Sequence, residues 1–162
     1  MKTTVKYGKN ADLALSMWVK LARASDTLAM NTAKDIDEYG LTVSQFGIIE
    51  TLGHLGPMKI GEMCSKKLTT GGNMTVVIDN LEKLGLVERI KDSEDRRAYV
   101  VRLTVKGEEK FKEMFPKHAI YVEELGWSAL NEKEIILLSE LLKKLGCSLK
   151  TKNHKHLNTE IL

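Results

Sequence analysis

The sequence predicts a mainly α-helical fold that carries one small antiparallel β-hairpin, and three observations lead there. Leu, Lys, Glu and Met are plentiful, while aromatic residues make up 6% of the chain and prolines number 2, a balance that favours helices over a β-sandwich. Apolar residues recur at steps of three or four over most of the length. A single stretch instead alternates on either side of a polar connection. With 162 residues, 43% hydrophobic and 29% charged, the chain has the length and composition of one globular domain, 1–162.

From Asp12 to Glu38, the residues Leu13, Met17, Leu21, Ala24, Leu28 and Ile36 trace one face of a long helix that Gly40 stops. Leu15, Trp18, Val19, Ala22 and Ala29 widen that stripe beyond what a small domain covers, which implies a partner helix. Thr42 and Gln45 form a capping-box pattern, so a second helix starts there and runs to about His54. Gly56 and Pro57 break the chain. Ile60, Met63 and Cys64 then give one face of a short third helix ending near Lys67 or Leu68, with Lys59 standing where a Ser or Thr cap is expected three residues before Glu62.

After Thr69, Thr70, Gly71, Gly72 and Asn73, the residues Met74, Val77, Ile78, Leu81 and Leu84 repeat with a helical step up to a stop at Gly85. The β-branched run Thr75 to Ile78 could suggest a strand, but the helical step and the pair Asp79 and Asn80 argue against a sheet interior. Residues 86–90 and 98–103 flank the polar connection 91–97 and predict two short strands with a charged tip. Thr104 is placed to cap a helix from about Val105, with Phe111, Met114 and Phe115 on its apolar side. Pro116 is expected to kink or restart it, the register resuming through Ile120, Val122 and Leu125. Asn131 and Glu134 repeat the cap pattern before a strongly apolar last helix, which is expected to end at Gly146. The remaining 148–162 reads as a polar, basic, disordered tail in which Ile161 and Leu162 could still pack.

Composition narrows the function classes. No run approaches the roughly 18 apolar residues that span a bilayer, and residues 1–9 contain no apolar stretch suited to a signal peptide, so a cytoplasmic protein without membrane partners is expected. Cys64 and Cys147 are too few for a disulfide framework and lie outside any Cys-x-x-Cys spacing. Cys64 reads as a buried small hydrophobe; Cys147, at a helix end, is the thiol that could sense oxidants. His54 and His118 stand apart from any paired Cys or carboxylate motif, and there is neither a serine elbow nor a phosphate-cradling glycine loop, so no enzyme and no cofactor are expected. His154 and His156 are two ligands in a tail and do not specify a metal site.

Three short helices followed by a hairpin is the layout of a winged helix-turn-helix, whose helix after the turn enters the DNA major groove. Here the candidate reader is the fourth helix. Thr69, Thr70, Gly71, Gly72, Asn73 and Thr75 are small or amide-bearing and allow close approach to a duplex, although the same residues would serve as a turn and cap. Asp95, Arg96 and Arg97 at the hairpin tip suit an arginine held for a narrow minor groove, although a solvated charged loop has the same composition. Lys66 and Lys67 can meet phosphates. The formal net charge of +3 is small, so local charge has to carry any nucleic-acid affinity.

Residues 41–46, Gly56 and Pro57, 73–89 and 95–107 resemble the MarR family of transcriptional regulators, in the same order of elements over about 10–146. The resemblance implies a homodimer, with dimerisation helices in 10–39 and 105–146 around a DNA-reading region 42–104. It implies that Asp95 orients Arg97 for the minor groove while Arg96 meets backbone, and that Thr70, Gly72, Asn73, Thr75 and Val76 form the exposed start of the reader. Leu13, Met17, Leu21, Phe115, Ile120, Leu138, Leu141 and Leu142 are core or dimer candidates. The resemblance further implies a repressor acting on a pseudo-palindromic operator and released by a small aromatic or phenolic effector, with Met17, Trp18, His54, Met58 and Tyr121 as candidate lining residues. The alternatives are a winged-helix protein-interaction module and a redox-sensing regulator working through Cys147.

Overall fold

The computed structural model describes residues 7–67, 71–92 and 98–157, with side chains described for all of these except Lys67, Gly71 and 150–157. The chain divides into two compact units, Met1–Tyr121 and Val122–Leu162.

In the first unit, α1 (Lys9–Glu38) begins where the Asp12 carboxylate accepts the Tyr7 N–H at 3.0 Å and stops at Gly40, whose φ of +70° favours glycine. Its only buried residue is Ile36. The capping box that opens α2 (Val43–Leu55) is fully formed: the Gln45 N–H donates to Thr42 Oγ1 at 3.2 Å and the Thr42 N–H donates to Gln45 Oε1 at 2.9 Å. This helix runs through the centre of the unit, burying Phe46, Ile48, Ile49 and Leu52.

Beyond Gly56 lies a short strand not expected from the sequence, β1 (Met58–Lys59). Then come α3 (Ile60–Lys67), α4 (Gly71–Lys83), β2 (Val87–Lys91) and β3 (Tyr99–Leu103). The strands form an antiparallel sheet in the order β1-β3-β2, so the hairpin gains a third strand, with Met58 opposite Val101 and Val87 opposite Leu103. Lys59 starts α3 with half a capping box. Its N–H donates to the Glu62 carboxylate at 3.2 Å, while its own ammonium reaches Asp92 at 3.0 Å.

The expectation for Leu84 is corrected: it falls in the turn after α4 and is 45% exposed, because the helix ends one residue earlier. Cys64 is half-buried rather than buried. Pro116 neither ends nor restarts α5 (Val105–Trp127), which is continuous through it. A proline removes one donor from the ladder, and the neighbouring bonds of a long helix can carry that loss when the side chains on either side are packed, as Met114 and His118 are. One core forms from Ile49, Met63, Ile78, Leu81, Val101 and Met114.

The second unit holds the end of α5 and α6 (Glu132–Leu157). Its cap is as expected from the sequence, the Glu134 N–H donating to Asn131 Oδ1 at 3.2 Å and the Asn131 N–H to Glu134 Oε2 at 2.9 Å. The expected stop at Gly146 does not occur, and the backbone stays helical to Leu157, into the segment read as a tail. A glycine inside a helix costs only about 1 kcal/mol, and Lys143, Lys144, Leu145 and Leu149 around it have good helix propensity. No helix among the described residues is long and apolar enough to cross a membrane.

Candidate nucleic-acid interface

Met74, Ile78 and Leu81 are buried, which fixes the rotation of α4 about its own axis. The opposite face presents Gly72, Asn73, Thr75 and Val76, all exposed, with Val76 at 58%. Among the described residues, a β-carbon on Gly72 would meet nothing within 4 Å, so no described neighbour requires a glycine there. What the small residue provides is a low surface at the first turn of a helix, where unpaired N–H groups and the helix dipole favour an anion.

Lys66 is exposed at the end of α3. Lys67 closes that helix with its side chain outside the described residues, and Thr69 and Thr70 lie outside them altogether. The neck of the hairpin is closed by the Asp92 N–H donating to the Ala98 carbonyl at 3.0 Å, with Lys91 opposite Tyr99. Asp95, Arg96 and Arg97 belong to the connection beyond that neck and lie outside the described residues.

Sequence reasoning gave no role to the ion cluster behind the reader. Arg89 on β2 places Nη2 2.6 Å from Asp79 Oδ1, pairs Nη1 with Glu82 Oε2, and donates its backbone N–H to Glu82 Oε1 at 2.9 Å. Arg102 Nε pairs with Glu88 at 2.8 Å on the neighbouring strand. The signal for the first cluster was a pair of carboxylates seven and ten residues before an arginine, a spacing with meaning only once the Gly85 turn folds β2 back along α4.

The candidate effector residues are dispersed in role. Met17 and Trp18 are exposed on α1, at 48% and 62%. His54 lies edge-on to Phe111 and Phe115, with ring centroids 5.1 and 4.3 Å away. Met58 is part of the core, and the Tyr121 hydroxyl donates to the Asn31 carbonyl at 3.4 Å. A cleft of about 550 Å³ opens elsewhere, between the end of α2 at Leu52 and Gly53, the strand residues Glu88 and Arg102, and Phe111 of α5, and none of the five candidates lines it. Cys147 is exposed.

The family model described as "MarR family" matches residues 41–99. The chain is 33% identical over 138 residues to the uncharacterised HTH-type transcriptional regulator YkoM of Bacillus subtilis (strain 168), covering 85% of this chain and 89% of that one. It is 31% identical over 142 residues to the HTH-type transcriptional regulator MhqR of the same strain, covering 88% and 97%. Among solved structures, NadR in complex with 4-hydroxyphenylacetate shares the fold with a TM-score of 0.69 at 24% identity, covering 90% of this chain and 97% of that one.

Proposed function

The chain belongs to the MarR family of transcriptional regulators, and we propose that it is a homodimeric repressor that reads a pseudo-palindromic operator and releases it on binding a small aromatic or phenolic compound. The observation that carries this reading is the exposed first turns of α4, where Gly72, Asn73, Thr75 and Val76 face away from a helix side locked into the core. A major groove takes a helix in that orientation, with Asn73 and Thr75 able to reach base edges and the N–H groups and Lys66 able to meet phosphates. In this reading, Lys67, Thr69 and Thr70 extend the phosphate contacts. Asp95 holds Arg97 for the minor groove on the flank, and Arg96 meets the backbone.

Dimerisation is supported by the apolar side chains that α1 leaves in water, including Leu13, Trp18, Leu28 and Met30, and, taken separately, by Leu137, Leu138, Leu141 and Leu142 on α6. An effector of phenolic class is supported by the 4-hydroxyphenylacetate bound to the structural neighbour NadR.

Selection of bound fragments from genomic DNA tests the operator reading. A recovered inverted repeat with half-sites about 10 base pairs apart is expected. With about 4 phosphates neutralised per subunit, log K should fall against log salt with a slope near −7. Arg97→Ala and Asn73→Ala should each lose binding to the recovered site. Wild-type binding by both variants would sink the reading.

A further inference from the structure

We infer that Arg89 is a positioning residue for DNA reading, acting through α4 and not on the duplex. The inference rests on the reading of α4 as the helix that enters the groove. Arg89 is a cation on the wing of a DNA-binding protein, and a direct phosphate contact is the simplest role for such a residue. Its surroundings argue for another. The side chain is 21% exposed, and both terminal nitrogens face α4. Nη2 meets Asp79 Oδ1 at 2.6 Å and comes within 3.5 Å of the Thr75 carbonyl, while Nη1 pairs with Glu82. The backbone N–H of Arg89 takes the other oxygen of Glu82 at 2.9 Å.

These attachments run from Thr75 to Glu82, about two turns of helix. One end of the grip lies at the exposed reading face and the other at the turn into β2. A planar guanidinium with a rigid fork of donors fixes the directions to Asp79, Glu82 and the Thr75 carbonyl together, which an ammonium on a flexible stem does not. Arg89 therefore sets the angle between the reader and the strand that leads to the wing tip. It also offsets two carboxylates on a helix that must approach a polyanion.

The two roles differ in the operator-to-random ratio they give for the variant Asp79→Ala with Glu82→Ala. Removing two negative charges near DNA, and releasing Arg89 to meet phosphate, should tighten binding to any duplex on electrostatic grounds alone. If the cluster positions the reader, affinity for a random duplex rises while the ratio of operator to random affinity falls by about tenfold. Arg89→Lys keeps the charge and loses the fork, so the same fall in ratio is expected with the salt slope unchanged.

Fluorescence anisotropy with the recovered operator and a scrambled duplex over a salt series measures all three quantities, on variants checked for helicity and dimer mass. Asn73→Ala is the control for the underlying reading. If Asn73→Ala leaves the ratio at the wild-type value, α4 is not the reader and the inference falls with it. If Asn73→Ala lowers the ratio while Arg89→Lys and the double variant preserve it, the reader stands and the role given to Arg89 is wrong. A salt slope shallower by about 2 per dimer in Arg89→Gln, which removes the charge, would likewise overturn it, in favour of a phosphate contact on each subunit. Should Arg89→Lys fail to fold, the double variant decides alone, since it leaves the arginine in place.

Discussion

At Gly107 a β-carbon would stand 1.9 Å from the backbone oxygen of Leu86 and 3.0 Å from its carbonyl carbon. That oxygen already accepts the Thr104 N–H at 3.1 Å, so it has no freedom to rotate aside, and the α5 start has to shift as a body. Gly107→Ala is therefore expected to destabilise by about 3 kcal/mol or more, read from the urea midpoint at fixed protein concentration. At Gly53 the obstacle is the ring of Phe111 at 2.5 Å, a half-buried side chain that can turn, so Gly53→Ala should cost less, about 1–2 kcal/mol. A second residue-scale test concerns Asp35, whose carboxylate holds His118 Nδ1 at 2.5 Å and accepts the Tyr39 hydroxyl at 3.3 Å. Burial first, then the Asp35 charge and its hydrogen bond, raise the Tyr39 phenol above its ordinary 10.0. The folded protein thus keeps a proton that the unfolded chain releases, so this contribution to stability is present below about pH 10 and is lost as pH rises through the folded value. Tyr39→Phe should flatten the alkaline loss of stability and remove a phenolate absorbance step that lies above the ordinary 10.0; an unchanged titration in that range would contradict the assignment.

Among the elements, the starts were legible in the sequence because caps are local chemistry: Thr42 with Gln45, Asn131 with Glu134, and Thr104 all occupy the positions their spacing implied. The face of α4 was legible for the same reason, since Met74, Ile78 and Leu81 repeat with the period of the helix they bury. What escaped was set by distant partners. Nothing near Met58 and Lys59 marks them as a strand until Val101 and Val100 lie beside them. Pro116 and Gly146 look like breaks locally, yet the helices around them continue. Thr104 does more than its cap position implied, because its hydroxyl accepts the Gly107 N–H at 3.1 Å and also donates to the Gly85 carbonyl at 2.7 Å, tying the end of α4 to the start of α5. Thr104→Val removes both bonds and should cost about 2 kcal/mol, Thr42→Ala about 1 kcal/mol, and Thr104→Ser about 0.5 kcal/mol or less. Equal losses for Thr104→Val and Thr42→Ala, measured by denaturant unfolding, would remove the second role.

For the whole molecule, the sequence pointed to helices with more apolar surface than one chain can cover, and α1 buries only Ile36 among its 30 residues. Which of Leu13, Met17 or Leu141 meets which partner residue is a property of two chains, and a single sequence carries no record of it. If the two reading heads are joined through these faces, separating them removes the second head's effective concentration at the operator without touching a residue of α4. Leu141→Lys places a charge on the α6 side chain that is now 54% exposed apolar surface, at no cost to helix propensity. The expected outcome is a helical protein that sediments at 18.2 kDa instead of twice that mass. Its affinity for the full operator should fall by roughly 10²-fold or more, while its weak affinity for an isolated half-site stays near the wild-type value. A monomer that held the full operator as tightly as the wild type would show that one head suffices, and the two-fold operator would lose its physical basis. A Leu141→Lys protein that remained dimeric would instead place the contact on another face, and Leu13→Lys on α1 is the variant that then decides.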